Sequence, residues 1–305
     1  MDGRNRILSV LEGKIPDKVP HFELDFQLTE ETFGLAWPNE ESFGANSAGF
    51  AREYFGVWTK IIDEFHWDAI HIRHFMMGND GKAITLAREH FGDKVAVYDY
   101  NGQGTFWMLP GDGMMEFTIR LFEDRESLHE EARQKCRDSI QLARQQIESG
   151  VDFICINSDY GYNNGPFISP AMFEELVTPY LTEIVYAIHE MGKKAILHSD
   201  GDLRLILDQL VSTGIDGYQS VDPQGHMDIA EVRRSYPNLI LMGNVQTSLL
   251  QEVNDEKIRE SVRYAMHNAM PGGKYIFSSS NCIFSGLPLE SYRIMLDEYQ
   301  KHANY

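Results

Sequence analysis

Cysteine is scarce: Cys136, Cys155 and Cys282 are the only three in 305 residues. A sparse, odd set does not build a disulfide framework, so the expectation is a cytoplasmic protein with reduced thiols. Cationic residues are in the minority, 27 Lys and Arg against 46 Asp and Glu, giving a formal net charge of -19 at pH 7. A surface of that sign repels nucleic-acid phosphates and anionic lipid, and neither is expected as a partner. No stretch approaches the roughly 18 continuous apolar residues of a membrane span. The start, MDGRNRILSVLEGKIPDKVP, has no apolar run followed by a cleavage site. No linker, low-complexity tract or charge run interrupts the chain, so one domain over residues 1–305 is the simplest account.

What is present fits a packed globular fold, with 43% hydrophobic and 24% charged residues. From about residue 126 one theme recurs: an amphipathic segment, a stop, a short apolar run, then small polar residues. The joints read ESGVDFICINSD, EMGKKAILHSDG, STGIDGYQSVDP, YPNLILMGN and PGGKYIFSSSNC. They predict five strands, centred near Phe153, Ile196, Gly217, Ile240 and Ile276. Between the first two, Phe173, Leu176, Val177, Leu181, Ile184, Val185 and Ile188 fall on one helical face. Ser169 and Pro170 suit its N-cap and first position, and Pro179 should kink it.

Strands separated by helices run parallel and are buried on both faces, which the continuous runs FICI, AILH and LILM fit. Before residue 126, VPHFELDF and WDAIHIRHF can supply two more strands, while VAVYDY, TFWMLP and MMEFTIRL alternate like hairpin strands. They read as one further strand plus an insertion. The expected fold class is α/β, a single-domain (β/α)8 TIM barrel.

In such barrels chemistry sits where strands end, because the loops there form the open mouth. Those ends carry Glu23 and Asp25; His71, Arg73 and His74; Asp159 and Tyr160; His198 and Asp200; Gln219 and Asp222; Asn244; and Ser278 to Cys282. Each has a plain structural alternative. Asp200 or Asp202 can cap a helix starting near Leu203, Asp222 before Pro223 can form a turn, and Cys282 can be a small buried hydrophobe. His71, between Ile70 and Ile72, can point into the barrel or cover a helix. Gly243 and Asn244 suit a tight turn, and GDG at 111–113 reads as a turn and not a phosphate loop. The concentration of such groups at strand ends carries the functional reading.

Around His198-Ser199-Asp200-Gly201 the chain resembles the uroporphyrinogen-decarboxylase-like superfamily. Four stretches carry the resemblance: NSDYGYNNGPFISPAMFEELVTPYL, HSDGDLRLILDQLVSTGIDGYQSVDP, SYPNLILMGNVQTSLL and GGKYIFSSSNCIFSGLPLESYRIMLDEY. The resemblance implies a (β/α)-barrel and one of two chemistries. Cofactor-free decarboxylation of a tetrapyrrole would use an RQAGRY segment and an aspartate after the second strand. VPHFELDF and HIRHFMMG stand in their places. Without cations to hold a polycarboxylate, and with a net charge of -19, uroporphyrinogen decarboxylation itself is not expected.

The second chemistry is methyl transfer with a corrinoid protein, using zinc held by an HxC turn and a distant cysteine. His198 matches the histidine and Cys282 the distant cysteine, while Asp200 replaces the nearer cysteine. The resemblance therefore implies a methyltransferase acting with a corrinoid protein on a small thiol or methoxy substrate. Asp159, His198 and Asp200 would be catalytic. Zinc is possible at His198 and Cys282, with Asp200 available as a ligand. Glu23, His71, His74, Tyr160, Gln219, Asp222 and Asn244 would bind substrate, and Glu23, His71, Asp159, His198, Asp222 and Cys282 should meet at one barrel mouth. The alternatives are a metal-free lyase or decarboxylase of a small substrate and a non-catalytic ligand-binding barrel.

Overall fold

The computed structural model of the chain describes residues 1–39, 47–72, 80–102, 104–109 and 111–305. Its centre is a curled sheet of seven parallel strands in sequence order: β1 (Ala69–His71), β2 (Ala96–Gly102), β3 (Phe153–Asn157), β4 (Ala195–His198), β5 (Gly217–Ser220), β6 (Ile240–Val245) and β7 (Tyr275–Ser279). Helices connect successive strands and cover the outer face, so the strands are buried almost throughout, as unbroken apolar runs require. The five strands expected in the C-terminal part all form.

The expected closed eight-strand barrel is met only in part, and the architecture is barrel-like. The segment around His21 to Phe26 makes isolated bridges instead of a continuous strand ladder: His21 pairs with Phe277 and Phe26 with Ile283. This segment touches both sheet edges. The Phe277 N–H donates to the Pro20 carbonyl and the Asp68 N–H to the His21 carbonyl, each at 2.8 Å. Pro20 has no N–H to give, and the Asp25 carboxylate accepts from the Phe26 N–H, so local bonds replace part of a ladder.

Local chemistry explains most of the helical elements. Ser169 accepts from the Met172 N–H and starts the helix Pro170–Leu176. The expected kink at Pro179 is a break: a second helix, Thr178–Glu190, begins after Val177, with Pro179 in its first turn where no N–H is needed. Three readings of the N-terminal half are corrected, and the first is TFWMLP, which forms no strand over its described residues 105–109. VAVYDY becomes β2 of the main sheet, and MMEFTIRL lies in the helix Asp112–Glu123, which the GDG segment opens. Phe117 and Leu121, four residues apart, share that helix's buried face. Gly243 and Asn244 are also not a turn but lie within β6. Among the described residues, no helix is long and apolar enough to cross a membrane.

Candidate active site

Parallel register assembles the site. Asn157 of β3 pairs with His198 of β4, and His198 pairs with Gln219 of β5. Paired residues on neighbouring strands point to the same face, so Gln219 is delivered beside the imidazole. His198 Nδ1 hydrogen-bonds Gln219 Oε1, which turns Nε2 towards the carboxylates of the neighbouring loops. Nε2 lies 3.4 Å from Asp159 Oδ1 and 3.9 Å from Asp200 Oδ2. The histidine is buried at the floor, with side-chain exposure of 7%, while the two aspartates remain open to solvent at 36% and 26%.

Burial of His198 disfavours its charged form, but Asp200 and Asp159 outweigh that and raise its pKa to about 9. The ring is therefore an imidazolium at neutral pH, with both N–H groups facing acceptors. Asp200 is shifted upwards by burial first, against the pull of His198 and a hydrogen bond from Ser220, and with added repulsion from Asp159 and Asp222. Two carboxylates face one imidazole here, a donor set that favours cations over anions.

The turn that carries Asp200 is built from close backbone contacts. Gly201 has φ +82°, and a Cβ there would lie 2.2 Å from the Gly161 carbonyl oxygen. Only glycine fits. Asp222 accepts from the Gly201 N–H at 3.2 Å and from the Gln224 N–H at 2.9 Å, so its turn-forming role also fixes the histidine turn. Ser199 accepts from the Tyr160 N–H at 2.9 Å. Beside this turn, Ser220 and Val221 have φ +95° and +45°. Such left-handed non-glycine residues cost on the order of 1–3 kcal/mol each and concentrate at functional sites.

Two residues not assigned a role from sequence hold Asp200. Ser220 Oγ donates to Asp200 Oδ1 at 2.5 Å, and Asn281 Nδ2 donates to Asp200 Oδ2. Ser220 follows Gln219 at a strand end, which is the one signal that could have marked it. Asn281 lies inside the Ser278 to Cys282 stretch, and its short amide carries no pattern.

The other expected site residues are spread around this cluster. Tyr160 is fully buried, and its hydroxyl lies 2.6 Å from Thr105 Oγ1, which makes it a packing residue of the turn. Glu23 is also fully buried, accepting from the Ser279 N–H and Oγ at 2.9 and 2.6 Å. His71 faces a separate cavity with Asp25, 3.8 Å away. Asn244 donates to the Val221 carbonyl at 3.0 Å and lines a third cleft with His226 and Tyr264. His74 lies outside the described residues. Cys282 is half-buried, and its backbone N–H donates to Asn281 Oδ1 at 2.6 Å, so Asn281 links it to Asp200.

The family model described as Uroporphyrinogen decarboxylase (URO-D) matches residues 82–302. The chain belongs to this family. The uroporphyrinogen decarboxylase family match begins after both N-terminal segments in which the expected decarboxylase signatures are replaced. A chloroplastic uroporphyrinogen decarboxylase of Nicotiana tabacum is 27% identical over 224 residues, covering 70% of this chain and 54% of the relative. The uroporphyrinogen decarboxylase of Anaeromyxobacter sp. (strain Fw109-5) is 31% identical over 136 residues, 44% of this chain and 37% of its own. The chain spans about half the length of the first two curated relatives. Among solved structures, a methyltransferase from Methanosarcina mazei superposes with a TM-score of 0.75 over 99% of both chains at 16% identity, which establishes a shared fold.

Among the described residues of this family member, one group of donors lies close enough together to hold a metal ion. Asp159, His198 and Asp200 each offer a ligand atom, all within 4.8 Å of one another. Zinc bonds of about 2.1 Å in a tetrahedron place ligand atoms roughly 3.4 Å apart, close to the two separations from His198 Nε2. The Gln219 bond to Nδ1 orients the ring as metal-binding histidines require. Zinc therefore fits these residues, and the group contains Asp159 where the family resemblance implied Cys282, with Asp200 in the place of the nearer cysteine.

Proposed function

We propose that this chain is an enzyme of the methyltransferase-like branch of its family, transferring a methyl group between a small thiol or methoxy substrate and a corrinoid protein. In this reading the segment around His21 to Phe26 serves as the eighth stave of the barrel. The observation that carries the proposal is the Asp159–His198–Asp200 cluster at the strand ends. Its two carboxylates disfavour an anionic substrate and favour a divalent cation, with zinc the first choice for this donor set. Such a cation supplies Lewis acidity towards a thiol or methoxy group.

The protein's own residues do the rest. Gln219 holds the His198 ring so that Nε2 faces both aspartates. Ser220 and Asn281 fix the Asp200 carboxylate, and Asp222 fixes the turn beneath it. His198 must release its Nε2 proton before it can act as a ligand, so cation affinity rises with pH. The open side of Asp159 and Asp200 leaves the substrate and an incoming corrinoid protein access from the mouth.

A second reading has its own support. A histidine held protonated by two carboxylates is already loaded to deliver a proton, which suits a metal-free lyase or decarboxylase of a small substrate. Elemental analysis of protein prepared without chelator or affinity metal separates the two. About one divalent metal per chain is expected on the first reading. Metal-free protein that releases carbon dioxide from a small acid would establish the second.

A further inference from the structure

Away from the Asp159–His198–Asp200 cluster, a cavity of about 240 Å³ opens at the end of β1, with Asp25, Gln27, Trp37, Tyr54, Trp58 and His71 among its walls. That is below the roughly 300–1,000 Å³ of sites for drug-sized ligands, so its occupant is small. Three of the lining residues are aromatic, and because Tyr54 and Trp58 are only 4% and 1% exposed, half-buried Trp37 is the ring that meets the cavity. Trp37 lies 5.3 Å from Tyr54 and 5.2 Å from Trp58, with ring planes inclined at 43° and 61°. Tyr54 and Trp58 thus buttress the Trp37 ring from within the protein. Trp37 is fixed in place because its indole N–H donates to the Phe26 carbonyl at 3.1 Å.

The anionic wall is equally well placed. Asp25 accepts from the Phe26 N–H at 2.9 Å and from Gln27 Nε2 at 3.0 Å, which orients the carboxylate before any ligand arrives. His71 Nε2 lies 3.8 Å from it, and Trp58 packs edge-on against the His71 ring at 5.1 Å. Among the described residues lining the cavity there is no Lys or Arg.

We propose that this cavity binds a small organic cation of the trialkyl- or tetraalkylammonium class. The faces of tryptophan and tyrosine rings carry the negative part of the ring quadrupole, and they attract a cation whose alkyl shell also gains from apolar burial. A quaternary ammonium has no N–H to satisfy, so it suits a cavity that offers the Trp37 ring and the Asp25 carboxylate. The net charge of -19 draws cations of any kind towards the protein, and the Trp37 ring selects the alkylated ones. The inference stands on the cavity alone and does not depend on the reaction proposed above.

Isothermal titration of the full chain with tetramethylammonium, choline and 3,3-dimethylbutan-1-ol tests it, the last being an uncharged isostere of choline. Both cations should bind once per chain, with choline at least about tenfold tighter than the alcohol. Asp25→Asn and Trp37→Leu should each weaken choline by about tenfold or more. Equal binding of choline and the alcohol, no cation binding up to roughly 10 mM, or unchanged choline affinity in both variants would overturn the proposal. If either variant does not fold, the choline-to-alcohol ratio and the shift of the Trp37 indole N–H resonance in the wild-type protein decide. An unmoved resonance counts against the site.

Discussion

Asn281 donates a hydrogen bond from its side-chain amide to Asp200, joining the loop after β7 to the turn after β4 across the sheet mouth. Asp200 also accepts from Ser220, the last residue of β5. Two loops and a strand end therefore meet on one carboxylate, and the position of Asp200 relative to His198 depends on all of them.

Asn281→Ala should loosen the site without unfolding the protein. Removing a partner that orients a metal-binding or catalytic carboxylate typically costs about 10–100-fold in affinity or activity. The melting temperature should fall by only a few degrees, since a hydrogen bond to a charged, partly exposed group is worth on the order of 1–2 kcal/mol. Parallel melting curves and metal titrations would show it. Equal losses in folding and binding would mean that Asn281 is mainly a structural residue.

Gly201→Ala should be severely destabilising. The substitution adds a Cβ 2.2 Å from the Gly161 carbonyl oxygen at a residue whose φ is +82°. The clash and the strained backbone together should cost on the order of 3 kcal/mol or more, read as a shift of the chemical-denaturation midpoint. A variant within about 1 kcal/mol of wild type would show that the turn has room to move.

Glu23 should make stability depend on pH. Burial raises its pKa from 4.5 to about 8, against hydrogen bonds from Ser279 that pull it down. Between those two values the folded protein holds a proton that the unfolded chain has lost. The stabilisation is thus complete below pH 4.5 and disappears as pH rises through about 8. Glu23→Gln keeps an acceptor for Ser279 but cannot ionise. Across that window wild-type stability should fall relative to Glu23→Gln by on the order of a few kcal/mol. Parallel pH profiles in denaturant would contradict the account.

The parts of the fold legible in the sequence are those where one signal dominates. FICI, AILH and LILM are continuous apolar runs followed by small polar residues, and all three became buried parallel strands. MMEFTIRL misled because its apolar residues satisfy a period of two and also put Phe117 and Leu121 one helical turn apart. PHFELDF is buried like a strand, yet Pro20 and the Asp25 side chain take up bonds that a ladder would use.

For the site, strand ends pointed to Asp159, His198 and Asp200, and these three converge. Ser220 and Asn281 stayed hidden because a small polar residue, whether at the end of β5 or in the loop after β7, carries no periodicity. The aromatic cavity was hidden for another reason. Trp37 lies in a loop and Tyr54 and Trp58 lie on the helix Ser47–Phe65, so no strand-end rule reaches them.

The most direct test of the central claim is a zinc titration of the wild type, Asp159→Asn and Cys282→Ser under identical chelator-free conditions, at pH 6.5 and 8.5. The account predicts one zinc per chain in the wild type, tighter at the higher pH as the His198 proton is displaced. Asp159→Asn should weaken binding by about tenfold or more, while Cys282→Ser should stay within roughly threefold of wild type. Loss of binding in Cys282→Ser with Asp159→Asn unaffected, or no zinc uptake by the wild type at either pH, would contradict it.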